Sequence, residues 1–116
     1  MKKLICALAV MALTPAALAN SWTLRDLGKM PDQRTCMDRA ELLLRNYKDE
    51  NSGGDIQRGN WAVFAYGLGS NERDVVFACP MFDGQSYGLL FSHDTRDLDD
   101  NKYAIDRIQE EYDRRY

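Results

Sequence analysis

Apolar residues concentrate between positions 60 and 92, in three short runs rich in aromatic and β-branched side chains: 60–67, 74–79 and 86–92. Turn residues separate them. Gly69, Ser70 and Asn71 follow the first run, and Asp83-Gly84 precedes the third. Runs of this length with such breaks read as strands joined by hairpins, so neighbours are antiparallel. Pro80 stands just past Cys79, where the second strand is expected to end. A turn centred on Ser70 and Asn71 pairs Tyr66 with Val75, Phe64 with Phe77 and Ala62 with Cys79. The Asp83-Gly84 turn pairs Cys79 with Gly88 and Phe77 with Leu90. This register puts Ala62, Phe64, Tyr66, Val75, Phe77 and Leu90 on one face. Trp61, Val63, Ala65, Val76, Ala78, Tyr87, Leu89 and Phe91 fall on the other.

The period changes on either side of the strands. Cys36, Ala40, Leu43, Leu44 and Tyr47 recur at helical spacing, with Asp38, Arg39, Glu41 and Arg45 off the stripe. Thr35-Cys-Met-Asp38 resembles a capping box, so a first helix is expected from Thr35. A second is expected over 97–112, with Leu98, Ile105, Ile108 and Tyr112 as its buried stripe. Asp94, Asp97, Asp99 and Asp100 stand at or before its first turn, and Arg114 and Arg115 at its end, as the helix dipole favours. Residues 20–34 form an entry segment in which Trp22, Leu24 and Leu27 alternate loosely with polar residues, either a short edge strand or an irregular strap. Residues 48–59, with Gly53-Gly54, read as a loop.

The N-terminus changes the compartment. Lys2 and Lys3 precede an apolar run, 4–13, and Ala17-Leu18-Ala19 follows. That is the layout of a cleaved secretory signal, so the mature chain is expected to start at Asn20 and to be periplasmic or secreted. The run is too short and too broken by Thr14 and Pro15 for a membrane span, which needs about 20 apolar residues. Cys6 leaves with the signal. Cleavage also removes Lys2 and Lys3 and moves the formal charge from −3 to −5. An acidic chain lacks the positive field that nucleic acid or an anionic membrane surface requires.

Two cysteines remain, Cys36 and Cys79. An even pair in an exported chain reads as a disulfide, which the chain-entropy model credits with about 4 kcal/mol for a ring of this size. The rival reading is a redox or metal pair. It lacks a Cys-x-x-Cys, and His93 stands at no ligand spacing from either cysteine.

Other candidate chemistry is weak. The run 94–101 is rich in acids but lacks the Asp-x-Asp-x-Asp-Gly spacing and twelfth-position Glu of a calcium loop. Ser92, His93 and Asp94 have the residue types of a hydrolase triad, yet successive strand residues point to opposite faces. No serine stands in a Gly-x-Ser-x-Gly elbow, and no glycine pattern cradles phosphate. No catalytic residue, metal ligand or cofactor site is therefore assigned.

Cys36-x-x-x-Ala40 opening a helix, Gly67 and Gly69 at the strands, Cys79 closing a strand and a final helix around Ile105 together form a pattern over 35–112. In this the chain resembles a diffuse group of small uncharacterised exported bacterial proteins. The resemblance implies an α-β-β-β-α domain with a Cys36–Cys79 bridge, and implies no activity. The acidic opening of the last helix and the Trp61 strand are not part of the shared pattern.

The expectation is thus an α+β domain over 35–116: a three-stranded antiparallel sheet with two helices and one disulfide. The second face, with Trp61, Val63, Val76, Tyr87, Leu89 and Phe91, is too apolar for water, since only Asp74 interrupts it. Either the entry segment or a helix covers it, or it meets a protein partner or a second copy. The functional expectation is a non-catalytic exported binding module of unknown partner. The alternatives are an inhibitor or immunity-type protein that blocks an envelope enzyme, through the 48–59 loop or the 94–101 acids, and a carboxylate-dependent enzyme.

Overall fold

In the computed structural model, which describes residues 21–51, 53–71, 73–95 and 98–116, the chain is α+β with one antiparallel sheet and two long helices. The elements in order are β1 (Ser21–Met30), α1 (Gln33–Glu50), β2 (Asp55–Arg58), β3 (Ala62–Gly67), α2 (Leu68–Asn71), β4 (Arg73–Ala78), β5 (Met81–Phe82), β6 (Gln85–Asp94) and α3 (Leu98–Arg115). The expected signal segment with Cys6, the start at Asn20, and Asp97 lie outside the described residues.

The sheet has six strands rather than three. Its order is β1-β6-β4-β3-β2, with the two-residue β5 paired to β6. Besides the two-residue β5, the additions come from stretches where pattern was faint. The entry segment is a full edge strand, running antiparallel along β6 from Ser21↔Asp94 to Met30↔Ser86, with a bulge between Asp26 and Gly28. The segment read as a loop ends α1 at Glu50 and then forms β2, the opposite edge, whose single apolar residue, Ile56, pairs with Ala65. A four-residue edge strand with one apolar side chain has almost no period for sequence to show.

The first helix starts earlier than the capping box suggested. Asp32 is the N-cap, its Oδ1 accepting from the Thr35 N–H at 2.7 Å and its Oδ2 from the Thr35 hydroxyl at 3.0 Å. Pro31 ends β1 just before it, and an aspartate behind a proline caps as well as a threonine does. The expected stripe of α1 is buried in full, with Met37 added. From α3, Ile105, Ile108 and Ala104 join it over Val63, Ala65, Val75, Phe77 and Leu90 in one core. Cys36 and Cys79 are bonded, their Cα atoms 5.9 Å apart, and tie α1 to the end of β4.

The β4–β6 register is the expected one, with Phe77 opposite Leu90. The β3–β4 register is not. Ala62 pairs with Ala78, Val63 with Phe77 and Ala65 with Val75. Near the turn, Leu68 bridges Arg73 as a regular hairpin would have it. Between that bridge and Ala65↔Val75, β3 spends two residues, Tyr66 and Gly67, against Asp74 alone. Gly67 has φ 66°, and its N–H donates to Asp74 Oδ1 at 3.0 Å. This is a bulge with glycine in the left-handed region, and one extra residue turns the rest of β3 over. Val63 and Ala65, expected on the second face, are fully buried under α1. Ala62, Phe64 and Tyr66, expected under the helices, lie on the second face.

Candidate functional site

Both long helices pack on the same side of the sheet: α1 on β3, and α3 on β1 and β6. The other face is left open among the described residues. Alternation along each strand defines its membership. β1 contributes Trp22 and Leu24, opposite His93 and Phe91 of β6. β6 adds Tyr87 and Leu89, β4 adds Val76, opposite Phe91, and β3 adds Phe64, opposite Val76, and Tyr66. Trp22 is 64 % exposed and Leu24 59 %, while Val76, Tyr87, Leu89 and Phe91 are half-buried by their own neighbours. Four strands about 4.8 Å apart, each running through the patch for about six residues, give a surface on the order of 400 Å². That is the size of the largest apolar patch on a typical monomer, which is often functional.

Aromatic pairs brace it. Trp22 and His93 lie as cross-strand neighbours with ring centroids 4.5 Å apart. Phe64 and Tyr66, two apart on β3, stack with centroids 5.8 Å apart and planes 2° from parallel. The rings pack against one another rather than lining a pocket. No cavity opens among the described residues, and no group of histidine, cysteine or carboxylate side chains there is arranged to hold a metal.

Charge divides sharply between the two sides of the sheet. Every described strand arginine points to the helix side and finds a partner there. Arg25 of β1 reaches Asp106 at 2.8 Å and Gln109 on α3. Arg58 of β2 reaches Asp38 at 3.0 Å and Glu41 at 2.7 Å on α1. Arg73 of β4 pairs with Asp94 of β6 and donates to the Tyr47 hydroxyl on α1. The hydrogen bonds from Arg45 and Arg58 hold the Glu41 carboxyl below its ordinary range. Burial pushes the Tyr47 hydroxyl up. On the open face, Asp26, Asp55 and Asp74 occupy outward strand positions, and Lys29 is the one outward lysine among the described strand residues.

Of the six residues expected to form a contact surface, Val76, Tyr87, Leu89 and Phe91 lie together on this face. Trp61 stands just before β3, 56 % exposed, and Val63 belongs to the core. Asp94, read as part of the acidic opening of the last helix, instead ends β6 and is fully buried beside Arg73. Sequence reasoning missed Trp22, Leu24, Phe64 and Tyr66 as members of the open face. The first two were legible as an alternating pair, Trp22-x-Leu24, once β1 is taken as a strand. The other two depend on the Gly67 bulge.

The described helices include none long and apolar enough to cross a membrane. Comparison with protein-family models, with curated proteins and with solved structures returns no match in any of the three.

Proposed function

We propose that this chain is a non-catalytic interaction module, exported under the signal at 1–19 to the periplasm or beyond, whose contact surface is the open face of the sheet. One observation carries the reading: an aromatic and aliphatic face four strands wide with both long helices on its other side. The entry segment, one of the expected covers, widens the sheet instead and adds Trp22 and Leu24 to the same apolar surface. Leaving such a surface in water forgoes roughly 25 cal/mol for every Å² of apolar area that a partner would bury. The disulfide supports the exported reading, since such bridges persist in oxidising compartments. So does the resemblance to the exported one-disulfide group.

The test is retention of an envelope protein by the mature, oxidised chain and by Val76→Lys. Val76 lies within the face, between Phe64 and Phe91, and is not part of the core cluster. The expected result is a stoichiometric companion held by the parent and lost by a variant of equal melting temperature. Equal retention by both, or none by the parent, would overturn the reading.

A further inference from the structure

The charges around the open face say what kind of partner it fits. The three described strand arginines are all drawn to the helix side by Asp106, by Asp38 and Glu41, and by Asp94. What remains at outward strand positions is Asp26 on β1, Asp55 on β2 and Asp74 on β4, with Lys29 as the single described cation. Asp83 adds a further exposed carboxylate in the turn between β5 and β6. The centre between these acids is aromatic, and ring faces attract cations as well as apolar groups.

We propose that the face takes a cationic protein segment: apolar side chains that settle on the aromatic centre, flanked by lysines or arginines that reach the carboxylates. This rests on the reading of the face as a contact surface and names the chemistry of its partner. A second copy fits less well. It would bring the same three carboxylates and the same lone lysine to the interface, and like charges placed across an interface oppose association. A partner of opposite charge gains at both the centre and the rim. Its association also speeds up at low salt.

Trp22 lies on the face and, in a Trp61→Phe background where it is the sole tryptophan, reports on its occupancy by fluorescence. The mature, oxidised protein is titrated with a short peptide of valine and leucine flanked by lysines, and with the same peptide carrying glutamates for lysines. The lysine peptide is expected to shift the tryptophan emission to the blue and to bind at least tenfold more tightly than the glutamate peptide. The preference should shrink as salt is raised. It should shrink also in Asp26→Asn combined with Asp55→Asn, where asparagine keeps an oxygen for the Gly28 N–H that Asp26 now holds at 2.7 Å. Val76→Lys should abolish the shift, and a melt confirms that each variant is folded.

Equal binding of the two peptides, both lost in Val76→Lys, would overturn the charge preference while leaving the face as a contact surface. A light-scattering mass that doubles with concentration and returns to the monomer in Val76→Lys would put a second copy there and overturn the cationic partner. Binding of neither peptide by a monomeric protein would overturn the inference, and retention of an envelope companion would then decide separately for the contact surface.

Discussion

Arg73 and Asp94 face each other across β4 and β6, Nε to Oδ2 at 3.0 Å, with Arg73 7 % exposed and Asp94 fully buried. The pair lies on the helix side of the sheet, where Arg73 also donates to the Tyr47 hydroxyl on α1. It therefore joins both central strands to the first helix at the end of the sheet opposite the disulfide. Taking the carboxylate from a buried guanidinium costs far more than an exposed pair would, about 3–5 kcal/mol. Asp94→Ala is expected to lower the urea midpoint accordingly, while Arg107→Ala, which breaks a surface pair with Glu50, should move it by about 1 kcal/mol or less. Equal, small effects from both would refute this account of Asp94.

The bridge between Cys36 and Cys79 closes a ring from the first turn of α1 to the end of β4. Thiol labelling of residues 20–116, which leave out Cys6, under denaturing, non-reducing conditions should find no free thiol. Cys79→Ser should lower the stability by about 2–5 kcal/mol. Labelling of both cysteines in freshly isolated protein would contradict the bridge.

Neighbouring valines on β4 should respond in opposite ways to the same charge. Val75 is fully buried against the helices, whereas Val76 points to the open face. Val76→Lys is expected to leave the melting temperature within a few degrees of the parent, and Val75→Lys to prevent folding, since it buries an unpaired ammonium. A melting temperature lowered equally by the two would mean that the second face is covered after all.

Gly67 holds the bulge that turns β3 over. Its φ of 66° is one that an L side chain enters at a cost of roughly 1–2 kcal/mol. Gly67→Ala should be destabilised by about that amount, and Gly67→Asn by less, because asparagine tolerates this region better. Equal stability of Gly67→Ala and the parent by chemical denaturation would show that the bulge does not set the register.

Among the described residues, three carboxyls titrate below their ordinary range in the folded chain. Asp32 is lowered by its backbone and side-chain bonds from Thr35, and Glu41 by its bonds from Arg45 and Arg58. For Glu111, burial pulls the pKa upward, but bonds from Asn46 and Arg115, helped by the Arg114 and Arg115 charges, outweigh it. A folded pKa below the unfolded one means that the unfolded chain binds more protons in acid. The stabilisation is then present above the unfolded values, about 4 to 4.5, and is lost as pH falls through the folded ones. The denaturation midpoint should hold from pH 7 to about 5 and fall below about 4.5. Glu41→Gln should flatten that fall, and a midpoint that rises on acidification would contradict the lowered carboxyl pKa values.

The helices, the paired cysteines and three of the strands follow from the sequence alone because each rests on local chemistry. Cys36, Ala40, Leu43, Leu44 and Tyr47 repeat at the helical period, and Asp83-Gly84 closes a hairpin whose β4–β6 register is the one found. Only the tertiary structure decided that residues 21–30 pair with β6 and that residues 55–58 pair with β3. An edge strand draws its stability from a partner distant in sequence, and its own pattern can be as thin as Ile56 alone. The composition of the open face was decided in the same way. Whether Val63 or Phe64 looks toward the helices depends on a single extra residue at Tyr66–Gly67, and a bulge leaves no trace in hydrophobic alternation. The charge division between the two faces is a further consequence of assembly, since Arg25, Arg58 and Arg73 acquire their direction from acids and a tyrosine on other elements.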